Sequence, residues 1–134
     1  MDFKTFLSDR IAEDEQLAQA VIDGHAADHR WVHNAARPDD CAHITHWSPW
    51  RVLSGCVAKR LILIAHRQQA VTGPGNEVIG YECSVCRMKP GQKVEWPCFT
   101  LRTMALEYSD HELYRYEWRP QRLSAGRSTS GSHA

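Results

Sequence analysis

The 134-residue sequence has no long apolar run; the longest, "LILIA" at 61–65, is five residues. A helix that crosses a bilayer needs about 20, so a membrane-spanning helix is excluded. There is no net charge, with sixteen acids against sixteen bases. There is no glycine-rich phosphate loop, because "GPGN" at 73–76 lacks the Lys-Ser/Thr ending. No H-E-x-x-H spacing occurs, and the zinc deaminase pattern fails because Glu82 stands before Cys83 and no H-x-E precedes it. No internal repeat is visible. The opening "MDFKTFLSDRIAEDEQ" is charged throughout and reads as neither a signal nor a transit peptide. These absences predict a cytoplasmic protein with no membrane contact. In that reducing compartment a C-x-x-C is a metal or redox motif rather than a disulfide.

What is present is ordinary for one small globular domain: 43% apolar and 24% charged residues. The charge is unevenly spread. Residues 1–40 hold nine acids and four bases, for −5, and the remainder holds seven acids and twelve bases, for +5. The two parts can attract each other within the fold, or the basic part can face a phosphate backbone. The offset predicts at most weak nucleic-acid binding.

Three helices are expected. Over residues 2–23, Phe3, Leu7, Ile11, Ala18 and Ile22 recur at helical steps, with Phe6, Leu17 and Val21 widening the stripe and Gly24 as the stop. Pro38-Asp39-Asp40 reads as a turn. Ser48-Pro49 pairs an N-cap with a proline at the first helical position, opening a second helix that runs to about Gln69. Its expected apolar face is Val52, Leu53, Cys56, Val57, Leu61, Ile64 and Ala65, with Lys59, Arg60 and Arg67 outside it. "TGPGN" at 72–76 then breaks the chain. Residues 78–96 read as a hairpin, "VIGYEC" and "KVEW" joined through "KPGQ". A third helix covers "PCFTLRTMALEY" at 97–108, with Phe99, Leu101, Met104, Ala105 and Tyr108 packing. Residues 120–134 are polar and Ser/Gly-rich and are expected to be a disordered tail, leaving residues 1–119 as the domain.

The chemistry concentrates in "YECSVCRMKPGQKVEWPCFT" at 81–100. Cys83 and Cys86 form a C-x-x-C turn, which converges two thiolates on one ion, and Cys98 opens a helix whose N-terminus favours thiolate. This arrangement resembles a treble-clef finger, except that the first helical turn offers Leu101 and Arg102 where a fourth ligand normally stands. His111 is the nearest downstream histidine, but a helix over 98–109 would place it roughly 15–20 Å along the axis from Cys98. His66 ends the second helix, just before the loop that leads back to the knuckle. The favoured set is therefore His66, Cys83, Cys86 and Cys98 around a structural zinc, with His111, Cys41 and His43 as alternatives. A thioredoxin-like redox pair is disfavoured, because its C-x-x-C opens a helix after a strand in an α/β pattern. His25, His29 and His33 are four apart and would share a helix face suited to a second metal, though exposed histidines in an alanine-rich stretch are the plainer account. Tyr108, Tyr114, Tyr116 and Trp118 interleave with Arg115, Arg119 and Arg122. That pattern stacks on nucleic acid, or packs the segment back across the helices.

With these residues laid out, the chain resembles an uncharacterised actinobacterial and actinophage family, a domain of unknown function. The resemblance rests on "FLSDRIAEDEQLA", "HITHWSPWRVL" leading into "AKRLILIAH", the C-x-x-C, and "WPCFTLRTMALEYSDHELYRYEW". It implies a bacterial or phage origin and no known activity. The expectation is a mostly helical α+β domain, three helices with a zinc-pinned β-hairpin between the second and third. It would serve as a protein-interaction or adaptor module. A nucleic-acid-binding zinc protein and a zinc-dependent hydrolase are the alternatives.

Overall fold

The first helix, α1 (Phe3–Gly24), begins where Asp2 caps it: the Asp2 carboxylate accepts the Thr5 N–H at 2.8 Å. The computed structural model describes residues 1–25, 37–86 and 95–121. Phe3, Phe6, Leu7, Ile11 and Ala18 are buried along one face of α1, as the spacing predicts. Leu17 and Val21 are exposed instead. They wall a shallow depression with Trp47 and Val52, beyond the stretch of α1 that packs into the core. Arg10, which the apolar pattern passed over, is buried, with its guanidinium over the Phe6 ring.

Pro38-Asp39-Asp40 is the first turn of a helix, α2 (Pro38–His46), rather than an isolated turn. Proline at the first helical position lacks only an N–H that would be unpaired anyway, and the two carboxylates suit the positive end of the helix dipole. α3 (Pro49–Ala65) starts at the predicted Ser48 cap, whose hydroxyl accepts the Arg51 N–H at 3.4 Å. It stops at Ala65, four residues short of the expected end.

The cause of that early stop is a strand. β1 (Gln68–Thr72) pairs antiparallel with β2 (Val78–Cys83), Gln68 opposite Cys83 and Ala70 opposite Tyr81, with a bulge at Val71/Thr72. The "TGPGN" breaker is the tip of this hairpin, held by the Gly73 N–H on the Glu77 carbonyl at 2.8 Å, with Asn76 left-handed at φ 60°. The hairpin thus lies between the predicted second and third helices, but β2 takes its partner from before it in the chain. A single bridge, Glu82 to Glu95, is what the described residues retain of the expected pairing with "KVEW"; the "KPGQ" tip lies outside them.

α4 (Phe99–Ala105) continues as a 3₁₀ turn through Tyr108, and a second 3₁₀ turn covers Tyr116–Trp118. The core joins all these elements: Phe3, Phe6, Leu7 and Ile11 meet Cys56, Leu63, Leu101, Ala105, Tyr108 and Trp118. Trp118 packs 4.9 Å from Phe6 and 5.5 Å from Phe3 between ring centroids. Arg102 straps the segment down through the Pro97 carbonyl at 2.6 Å and the Glu117 carbonyl.

The inward face of α3 differs from the expected one. Cys56 and Leu63 are buried, while Val57, Leu61 and Ile64 are exposed. Apolar residues surround this helix, so periodicity alone does not select the buried side; packing against α1 does. Lys59 and Arg60 were placed on the outer face, yet both reach other elements. Arg60 grips Glu15 of α1 at 2.6 and 2.7 Å, and Lys59 donates to the Tyr108 hydroxyl at 3.1 Å and pairs with Glu107. Tyr108 in turn donates to Asp14 at 2.7 Å. No described helix is long and apolar enough to cross a membrane.

Candidate metal centre

Three local structures converge at one corner of the domain. His66 caps the C-terminus of α3, its N–H bonded to the Ile62 carbonyl at 3.0 Å. Two residues later β1 begins, and its register sets Cys83, the last residue of β2, opposite Gln68. The knuckle turn then carries Cys86 back to the same point. Cys98 occupies the N-cap of α4 in extended conformation.

Ser84, inside the C-x-x-C, locks the knuckle to the end of α3. Its hydroxyl donates to the Ala65 carbonyl at 3.3 Å and accepts the Arg67 N–H at 3.1 Å, while its own N–H bonds the Arg67 carbonyl at 2.9 Å. Sequence reasoning passed over this residue. The available signal was a serine in a turn, a residue that bonds nearby backbone readily.

The outcome is a cluster in which the ligand atoms of His66, Cys83, Cys86 and Cys98 all lie within 4.8 Å of one another. The three sulfurs stand 3.4, 3.4 and 3.5 Å from His66 Nδ1. A neutral imidazole nitrogen has one proton or one lone pair and cannot bond three sulfurs at once. Zinc distances of about 2.3 Å to sulfur and about 2.0–2.1 Å to nitrogen, at the tetrahedral angle, put each sulfur about 3.5 Å from the nitrogen. The residues present fit that geometry. The three cysteines and the histidine are all at least half-buried, Cys83 and Cys98 fully, and no cysteine is in a disulfide.

The electrostatics of the three thiols point the same way. Burial pushes all of them up. At Cys83 the N–H groups of Val85 and Cys86 and the neighbouring thiols outweigh that, and its pKa falls below the ordinary value. Cys86 is pushed up to about 12 by burial and by sulfurs 83 and 98. Cys98 also rises, burial outweighing the Leu101 N–H. A cation placed among the three sulfurs would favour the thiolate form of each.

The other candidates lie elsewhere. His111 faces Arg10, stacks edge-on against Phe6 at 5.7 Å, and does not join the cluster. Cys41 and His43 are on α2, and neither joins the cluster. His25 caps α1, while His29 and His33 lie outside the described residues. Leu101 is fully buried in the core, and Arg102 is occupied with carbonyls, so the first turn of α4 offers no further ligand. Of the aromatic–arginine segment, Trp118 packs into the core, whereas Tyr116 is exposed with Arg119 stacked over it at 4.9 Å. Arg122 lies outside the described residues.

A mostly helical α+β domain with a Cys₃His cluster at its hairpin is the class these features define. The chain belongs to a family of unknown function (DUF6221), which matches residues 1–120. No curated protein and no solved structure matches it.

Proposed function

We propose that this is a structural-zinc domain working as a protein-interaction module in the cytoplasm, where its thiols stay reduced. The observation that carries the metal is the equal spacing of three sulfurs around His66 Nδ1. Zinc suits a soft sulfur-rich set at tetrahedral spacing. With four protein donors the ion has no position for water or substrate, which distinguishes a structural site from a hydrolase. The interaction role is supported by the outer face of α3, where Val57, Leu61 and Ile64, at i, i+4 and i+7, are each more than half exposed.

The test begins with native mass spectrometry, which should find one zinc per chain. A competition titration against a chromogenic chelator then compares two variants. His66→Ala should weaken zinc binding by at least about tenfold, and His111→Ala should leave it nearly unchanged. Loss of zinc from His111→Ala with retention by His66→Ala would overturn the ligand set. Salt dependence separates the partners, since nucleic-acid affinity falls steeply with salt and apolar protein docking does not.

A further inference from the structure

A cleft of about 470 Å³ lies directly beside the cysteine cluster, between the start of α1 and the end of α3. Lys4, Ser8, Arg60, His66, Arg67 and Trp96 line it, and among the described residues no Asp or Glu does. Arg60 is already held by Glu15. Lys4 and Arg67 have no side-chain hydrogen bond or ion pair among the described residues.

His66 is the link to the metal reading, on which this inference rests. Its Nδ1 is turned to the three sulfurs. His66 lines the cleft and none of the cysteines does, and with Nδ1 turned to the sulfurs, Nε2 is the ring nitrogen left to bond elsewhere. When Nδ1 binds a metal, Nε2 carries the proton, and such an N–H almost always donates to a carboxylate, a carbonyl or water. Among the described residues no protein acceptor meets it.

We infer that this cleft binds a phosphomonoester, with the phosphate held by Lys4, Arg67 and the His66 Nε2–H and its organic part against Leu63, Ile64 and Trp96. Two unpaired cations and a polarised N–H match a dianion better than a single carboxylate or an internal phosphodiester. The volume is that of a small-molecule site, and a wall part apolar and part aromatic suits an organic body of modest size.

The experiment uses the full chain loaded with one equivalent of zinc, and phenyl phosphate and inorganic phosphate as probes in isothermal titration calorimetry. Phenyl phosphate should bind saturably and more tightly than inorganic phosphate. Lys4→Gln and Arg67→Gln should each weaken it about tenfold, and Arg115→Gln should not. His66→Cys keeps four metal donors but removes the N–H, so zinc should stay while phenyl phosphate weakens several-fold. A zinc-loaded chain with no saturable binding up to about 10 mM overturns this inference and leaves the metal reading standing. A chain that takes no zinc overturns both. Unchanged affinity in Arg67→Gln, or tighter binding of an oligonucleotide without a terminal phosphate, also overturns the assignment.

Discussion

Phe6 is fully buried, with Trp118, Tyr114 and His111 rings all within 6 Å of its centroid. On the hairpin, Val78, Ile79 and Tyr81 are each more than half exposed, and β2 buries only Glu82 and Cys83 at its end. The helical side is thus held by burial, worth about 1.5–3 kcal/mol for each large side chain fully removed from water. The hairpin has almost no burial to hold it, and an isolated two-stranded hairpin is at best marginally stable in water. What it has is an end tied at Cys83 to the Ser84 clamp and the thiol–imidazole cluster. One side is held by its own side chains; the other is held at its end by a cluster that could take a metal ion.

Removing the proposed metal is the largest perturbation of this contrast. Zinc contributes on the order of 10 kcal/mol to isolated finger peptides, and a domain with a separate helical core depends on it less. A strong chelator should lower the melting temperature by more than about 10 °C, since each 1 kcal/mol shifts it by about 2–8 °C at this size. Hydrogen exchange should speed first in β1, β2 and the start of α4, with α1 still protected. Unchanged melting, or α1 opening together with the hairpin, would break the comparison.

Trp118→Ala attacks the other side. It empties the space between Phe3 and Phe6 and should cost about 3–5 kcal/mol in denaturant unfolding. Zinc affinity at temperatures where the variant stays folded should change by less than about threefold. A large loss of affinity would mean that core and metal corner are one cooperative unit.

The smallest effect sharpens the junction between α1 and α3. The hydrogen bonds from Arg60, then its charge, hold the Glu15 carboxyl below its ordinary value against a smaller cost of burial. A depressed carboxylate stabilises the fold above its unfolded pKa and loses that contribution as pH falls through the folded one. Both side chains are partly exposed, so Glu15→Gln should cost only about 0.5–1 kcal/mol at neutral pH. The difference from the parent chain should shrink below about pH 4. A difference that grows in acid would show that Glu15 is not the group responsible.

Much of both regions was legible beforehand, for different reasons. The caps at Ser48-Pro49, the stripe from Phe3 to Ala18 and the Gly24 stop are local signals, and they hold in the structure. The grouping of His66 with Cys83, Cys86 and Cys98 was legible because a C-x-x-C and a helix-opening cysteine restrict where a fourth donor can stand. Three features were not legible. α2 was hidden because Pro-Asp-Asp signals a turn and a helix start equally well. The exposure of Val57, Leu61 and Ile64 was hidden because α3 is apolar on more than one side. The partner of β2 was hidden because "QQAVT" carries little strand patterning and continued a helical stretch.

By itself the sequence determined the donor chemistry, the helix starts and the breakers, because each depends on residues within a turn or two of one another. The tertiary structure alone decided that α3 ends at Ala65. Helix propensity would carry it further, but pairing Gln68 with Cys83 satisfies the backbone of both strands and turns His66 onto the three sulfurs. It also decided the fate of the cations. Arg60 and Lys59 look like solvated side chains in a linear pattern, and only the approach of α1 and of the segment after α4 gives them partners, because an ion pair depends on distance in space and not along the chain.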